Sequence, residues 1–322
     1  MEYRYLGRTG LQVSTICLGT MQFGWSSDEA TAHMVLSRAV ELGCNFIDTA
    51  DVYSRWVEGN PGGVSEQIIG AWLRKGSVRR DDIIIATKVR SAMSDKPNDR
   101  GLSRHHIMNA VDHSLRRLQT DYIDLYQSHA YDEHTPIEET LQAFDDLIRM
   151  GKVRYVGCSN YPAWRLMESL WASDVNHFAR YDSLQPHYNL LHRAEYEDEL
   201  QRICQDQNIG VIPYSPLGGG FLTGKYRRGE SLPDSDRAEG VKRRYMNDRG
   251  FTAVERLEKI GAGHSASVAQ TAIAWVLANP TVTSAIIGAN SEAQLEDTMK
   301  GAEISLSEDE KAALDEVSAW QE

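Results

Sequence analysis

An acid, a phenol, an ammonium and an imidazole stand at or just beyond the ends of three successive apolar runs in this chain. Asp48 closes NFID, with Tyr53 one short turn further on; Lys88 closes IIIATK; His129 closes LYQSH. If the runs are strands of one barrel, their ends open into a single mouth, and residues far apart in sequence share one partly dry pocket. That set suits carbonyl reduction. A hydride delivered to a carbonyl carbon leaves an alkoxide-like oxygen that needs a proton. A tyrosine, with an unperturbed pKa of about 10, exchanges its proton reluctantly at neutral pH. A neighbouring ammonium favours the phenolate and lowers that value. Asp48 can pair with Lys88 and hold it in place, and His129 can orient the carbonyl oxygen through one ring nitrogen.

Singly, each residue has an ordinary explanation. Lys88 reads as a surface or ion-pair residue, Tyr53 as loop packing, His129 as structural and Asp48 as a helix cap. Joint placement after the second, third and fourth runs is what favours chemistry.

The elements that must position them alternate from end to end. Apolar runs expected as buried strands cover residues 16–19, 45–48, 83–88, 123–128, 153–158, 183–185, 211–214 and 285–288. Several are unbroken and β-branched, as parallel strands covered on both faces are. Helical patterns lie between them. Asp28 caps a stretch to Glu41 that stops at Gly43, Ser103 caps one to Leu118, and Pro136 opens one ending at Gly151. Another follows Pro162, and further patterns cover 195–207, 268–278 and 292–299. Eight βα units predict one (β/α)8 TIM barrel, a single domain over residues 1–322, rather than an open doubly wound sheet. Outside the alternation, the first residues read as a hairpin around Arg8-Thr9-Gly10 that caps the barrel bottom. Residues 217–245 read as a long loop on the catalytic face, and 306–320 as an extra C-terminal helix.

Composition narrows the partners. The chain has 322 residues, 41% hydrophobic and 25% charged, and its formal net charge of -12 argues against nucleic acid or an anionic membrane surface. The four cysteines, Cys17, Cys44, Cys158 and Cys204, form no CxxC pair and read as small buried hydrophobes. With no signal peptide and no apolar run long enough to span a bilayer, the expected setting is reducing and cytoplasmic. The GxGxxG fingerprint is absent: Gly218-Gly219-Gly220 and Gly261-Ala262-Gly263 lack its spacing, which counts against a Rossmann domain.

Over nearly its whole length the sequence resembles the aldo-keto reductase family. YLGRTGLQVSTICLGTMQFG, FIDTADVYS, GVSEQIIGAWL, ATKV, DYIDLYQSH, GKVRYVGCSN, LQPHYNLL, IPYSPLGGGFLTGKY and IIGANSEAQLED look like family segments in family order. By that resemblance Asp48, Tyr53, Lys88 and His129 occupy the catalytic tetrad of an NADP(H)-dependent oxidoreductase. It also implies that Ser159, Asn160 and Gln185 hold the nicotinamide carboxamide, and that Tyr214 stacks on its ring. Ser215, Leu217, Gly219 and Lys225 would line the pyrophosphate path, and Gly288, Ala289, Asn290, Gln294 and Thr298 would surround the adenosine half. Thr20, Met21, Asp48, Pro216 and Ile287 are the further cofactor contacts it implies. Plainer readings stay open for two of these: Tyr214 as barrel packing, and Ser159-Asn160 as a cap for the helix after Pro162.

Relatives often carry arginine where Asn290 stands and asparagine where Thr298 stands. A neutral Asn290 cannot clamp a 2′-phosphate ionically, so Arg227, Arg228, Lys242, Arg243 or Arg244 would have to supply the charge. NADP(H) is therefore the expected cofactor, with NAD(H) an alternative, and no metal is expected. Trp25 and Trp56, with the aromatic stretch near Tyr131, are the expected substrate wall for a small carbonyl or alcohol. Two rivals remain: a cofactor-sensing regulatory subunit on the same barrel, for which no long N-terminal extension or docking tail is evident, and a lyase or isomerase using Lys88 as a Schiff base.

Overall fold

The structure is a computed structural model that describes residues 1–320. A short antiparallel hairpin, β1 (Tyr3–Tyr5) and β2 (Gln12–Ser14), opens the chain. Eight parallel strands follow: β3 (Ile16–Gly19), β4 (Phe46–Asp48), β5 (Ile84–Val89), β6 (Ile123–Ser128), β7 (Val153–Ser159), β8 (Ser183–Gln185), β9 (Gly210–Val211) and β10 (Ala285–Ile287). From β4 to β9 each pairs with its predecessor, and β10 pairs with β3. The seam between β9 and β10 is closed by a parallel bridge, Val211 to Val282, and by the Ile286 N–H donating to the Pro213 carbonyl at 2.9 Å. The sheet thus curls into the expected (β/α)8 barrel.

Strand alternation decides what fills it. Cys17, Phe46, Ile84, Ala86, Leu125, Ile212 and Ile286 form one buried apolar cluster with Leu6 and Val13 of the hairpin. The hairpin therefore plugs the amino-terminal end of the barrel. Continuing each strand by two residues on the same face reaches Gly19, Asp48, Lys88, Gln127, Tyr214 and Gly288. Apolar below and polar above is the layering that puts chemistry at the carboxyl-terminal mouth.

The outer ring is helical: α1 (Glu29–Glu41), α2 (Val64–Arg74), α3 (Arg104–Leu118), α4 (Ile137–Arg149), α5 (Ala163–Asn176), α6 (Ala194–Glu197), α7 (Leu200–Asp206), α8 (Ala238–Tyr245), α9 (Asp248–Gly263), α10 (Val268–Leu277), α11 (Glu292–Met299) and α12 (Glu308–Val317). The caps read from sequence are made: Asp28 accepts from the Thr31 N–H and Ser103 from that of His106. At α12 a reciprocal capping box joins Ser307 and Glu310.

Several boundaries differ from expectation. The stretch expected as one helix over 195–207 is two, because Glu199 leaves helical dihedrals (φ -121°), letting Tyr196 anchor one segment and Leu200 with Cys204 the next. The expected long loop over 217–245 contains a 3-10 turn, Gly218–Thr223, and ends in α8. α8 buries only Ala238, Val241 and Tyr245 among charged neighbours, a weak periodic signal. α2 and α9 were not anticipated as helices. All four cysteines are buried and free. Among the described residues no helix is long and apolar enough to cross a membrane.

Candidate active site

Lys88 is the centre of the mouth. It is fully buried on β5, and its ammonium donates to Asp48 Oδ1 (2.5 Å), the Thr49 carbonyl (2.8 Å) and Tyr53 Oη (3.0 Å). An ammonium has three protons, so every one is used. The second Asp48 oxygen accepts from Gln185 Nε2 (2.9 Å) and Gln127 Nε2 (3.2 Å). A buried charge is tolerable only when paired and hydrogen-bonded, and this pair is both. Burial pulls the Lys88 pKa down, but the Asp48 carboxylate and the Tyr53 hydroxyl outweigh it and hold the lysine above its ordinary value.

Tyr53 reaches Lys88 because the chain turns sharply after β4, with Ser54 in the left-handed region (φ 65°). Its environment corrects one expectation. Burial raises the Tyr53 pKa, and the lowering by Lys88 is smaller, so the phenol lies above its ordinary value rather than below it. The sequence argument counted the cation and omitted the low-dielectric pocket.

His129 follows β6, its backbone N–H donating to the Val89 carbonyl at 2.9 Å. Its ring stands edge-on to Tyr53, centroids 6.1 Å apart, and Nδ1 is buried without a partner. Burial first, then the charges of Lys88 and Arg90, push the His129 pKa down to about 3, so the imidazole is neutral near pH 7. A neutral ring carries one donor and one acceptor nitrogen.

The remaining predicted residues fall around this centre as follows. Ser159 ends β7 in register with Gln185 of β8 and donates to the Gln185 carbonyl at 2.8 Å. Asn160 (φ 54°) donates to the His129 carbonyl and accepts from the Tyr214 hydroxyl, both at 2.9 Å. Ser159 and Asn160 give α5 no side-chain cap, its N-cap being Pro162. The Tyr214 ring is covered on one face by His187, stacked at 5.1 Å with 9° between planes. Thr20 is buried and donates to the Asp48 carbonyl, while Met21 beside it is partly exposed.

Ser215 (φ 55°) and buried Pro216 lead into Leu217 and the three glycines, all at positive φ. Three successive residues in that region are accessible without strain only to glycine. Lys225 stands exposed beside Gly220. Ile287, which ends β10, and Ala289 are buried, while Gly288 and Asn290 are exposed in the turn before α11, in which Gln294 is also exposed and Thr298 is buried. Asn290 Oδ1 accepts from Ser27 (3.0 Å) and Ser26 (3.2 Å), and its N–H donates to Gln294.

Of the loop cations, Arg227 pairs with Glu258 and Arg228 with Asp248. No ion pair engages Lys225, Lys242, Arg243 or Arg244 among the described residues. Trp25 and Trp56 meet edge-to-face at 5.6 Å, and Trp56 also meets Tyr53 at 6.3 Å, so both indoles stand at the rim. Tyr131 is farther round, against Trp164 and Tyr161, where a cavity of about 600 Å³ opens beside Asn160.

Two residues were missed. Gln127 holds Asp48, and strand parity with Leu125 inside and His129 at the rim was a legible signal for it. Arg237 lies over the Trp25 ring at 5.5 Å, half-buried. Nothing in the spacing of that charged loop singled it out.

A barrel with a buried acid–lysine–tyrosine chain at its carboxyl-terminal mouth defines a class of oxidoreductase. The Aldo/keto reductase family model matches residues 15–319, and the chain belongs to that family of NAD(P)H-dependent oxidoreductases. It is 40% identical to the uncharacterized oxidoreductase YrpG of Bacillus subtilis, over 98% of this chain and 96% of the relative. It is 36% identical to a probable voltage-gated potassium channel subunit beta of Arabidopsis thaliana, over 94% and 92%. It is 32% identical to an L-glyceraldehyde 3-phosphate reductase of Escherichia coli O157:H7, over 100% and 95%.

Proposed function

We propose that the protein reduces an aldehyde, ketone or sugar carbonyl, or oxidises the corresponding alcohol, with NADP(H) as hydride carrier and Tyr53 as general acid and base. The nicotinamide, when bound, supplies or accepts the hydride. The observation that carries the reading is the 3.0 Å contact between Lys88 Nζ and Tyr53 Oη inside a buried ion pair. In the reductive direction the carbonyl carbon gains hydride, the C=O electron pair moves to oxygen, and that oxygen takes the Tyr53 proton. The phenolate left behind is stabilised by Lys88, which Asp48 keeps charged and in place. The raised resting pKa of Tyr53 suits an acid that keeps its proton until reaction. Neutral His129 donates a hydrogen bond to the substrate oxygen and thereby aims it at Tyr53. Because Lys88 is engaged by three acceptors, a Schiff-base role has no support in the geometry.

For the cofactor, Ser159, Asn160 and Gln185 hold the carboxamide and Tyr214, braced by His187, carries the ring. Thr20, Met21 and Asp48 border that end. Ser215, Pro216, Leu217, Gly219 and Lys225 follow the pyrophosphate, and Ile287, Gly288, Ala289, Asn290, Gln294 and Thr298 the adenosine. Asn290 is tied to Ser26 and Ser27, so the 2′-phosphate charge falls to the loop cations without acidic partners, Lys242, Arg243 and Arg244, while half-buried Arg237 faces the mouth. Trp25 and Trp56 form the substrate wall.

Two experiments test this. Fluorescence titration with NADPH and NADH should show tighter binding of NADPH; preference for NADH would assign NAD(H) as cofactor, and binding of neither would end the oxidoreductase reading. Tyr53→Phe should keep cofactor affinity and lose about 10²–10⁴-fold in turnover; unchanged turnover would remove Tyr53 from the chemistry. The likeness to a channel subunit beta favours a second reading, a cofactor-sensing regulatory subunit, for which co-purification of a membrane complex is the test.

A further inference from the structure

Behind Tyr214, on the ring face that His187 covers, three side chains converge that the proposed reaction does not use for proton transfer. After β8 the chain makes a tight turn in which Asn189 and His192 exchange backbone hydrogen bonds, at 3.2 and 2.9 Å. That turn lays the His192 ring against His187, centroids 3.9 Å apart. Glu195, the second residue of α6, lies three positions beyond His192 and returns its carboxylate to His192 Nε2 at 2.7 Å. One ligand atom from each of the three lies within 4.8 Å of the other two, and this is the only such group of three among the described residues.

We propose that His187, His192 and Glu195 form a binding site for a divalent transition-metal ion of the zinc class. Two imidazoles and a carboxylate, with a fourth position open to water, are a borderline-soft donor set that suits zinc and not calcium or magnesium. Tetrahedral ligands at zinc distances stand about 3.4 Å apart. His192 and Glu195 are 36% and 50% exposed at the side chain, so they rotate the remaining distance without disturbing the core. The ion would take the place of the hydrogen bond that now joins His192 Nε2 to Glu195. His187 holds only long contacts at Nε2, 3.3 Å to Tyr245 and 3.4 Å to Asn189, so little is lost when it turns to a metal. Competing thiols are out of reach, since all four cysteines are buried. A metal here braces His187 against Tyr214, coupling the ion to the platform on which the cofactor reading depends. The site itself stands without that reading.

The test uses the intact purified protein and Zn2+ alone, titrated in competition with a chromogenic chelator at pH 7.5. One equivalent is expected. His192→Ala and Glu195→Gln, at a partly exposed and an exposed position outside the catalytic machinery, should each weaken binding by about tenfold or more, with circular dichroism confirming that they fold. Imidazole resonances of His187 and His192 should shift with that equivalent while those of His264, paired with Glu310 elsewhere, do not. Wild-type affinity no tighter than that of a variant combining His192→Ala with Glu195→Gln, or shifts confined to other histidines, would overturn the proposal.

Discussion

Replacing Lys88 by methionine tests the buried pair more sharply than any other single change. Methionine fills the stem volume but withdraws the cation from Asp48, whose side chain is 2% exposed. Removing one partner of a buried ion pair costs about 3–5 kcal/mol. The amides of Gln127 and Gln185 still donate to Asp48, and hydrogen bonds to a charged group contribute about 1.5–3 kcal/mol each. The expected loss is therefore at the low end, about 3 kcal/mol. The raised pKa of Lys88 fixes the pH window. A lysine whose folded value exceeds its unfolded one stabilises fully below about pH 10.5 and loses that contribution as pH rises through the folded value. At pH 7 the whole effect is present. Urea unfolding followed by circular dichroism should be run on the wild type, Lys88→Met, Asp48→Asn and the double variant. The amide in the double variant needs no cation, so the double should be more stable than the sum of single losses predicts, by about 1–3 kcal/mol. Additivity within about 0.5 kcal/mol would refute the electrostatic account and leave Lys88 as packing alone.

Three further outcomes follow from local geometry. Gly70 sits inside α2, where alanine ordinarily adds about 1 kcal/mol of helix stability; a Cβ there would stand 2.2 Å from the Arg117 carbonyl oxygen, so Gly70→Ala should destabilise, read as a lower urea midpoint. His129 and His187, with folded values of about 3 and 4, should cost stability as pH falls below about 6.5, because the unfolded chain binds protons the native state refuses. An NMR titration showing the His129 ring charging near pH 6.5 would contradict this. Asp51 is buried with neither carboxylate oxygen partnered, and burial, then Glu66, push its pKa well above the ordinary range against the pull of Arg117. Its native state holds the proton to higher pH than the unfolded chain, so the carboxyl costs stability as pH rises above about 4. Asp51→Asn should therefore raise the denaturation midpoint at pH 7, with the gain shrinking toward pH 4.

Much of this was written locally. The eight apolar runs, the caps at Asp28 and Ser103 and the hairpin at Arg8-Thr9-Gly10 are short-range signals, since turn chemistry and strand alternation depend on neighbours a few residues away. Parallel order then placed Asp48, Lys88 and His129 at one end, because each closes a strand running the same way. Only the closed barrel decided the rest. The bonds of Asp48 to Gln127 and Gln185 span 79 and 137 residues. The Tyr53 pKa is set by how much water the assembled pocket excludes, which no list of nearby charges contains. Arg237 and Trp25 lie far apart in the chain and meet only once it is folded. Residue type and period are properties of a segment; desolvation and contacts across the barrel belong to the packed whole, and there the sequence alone falls silent.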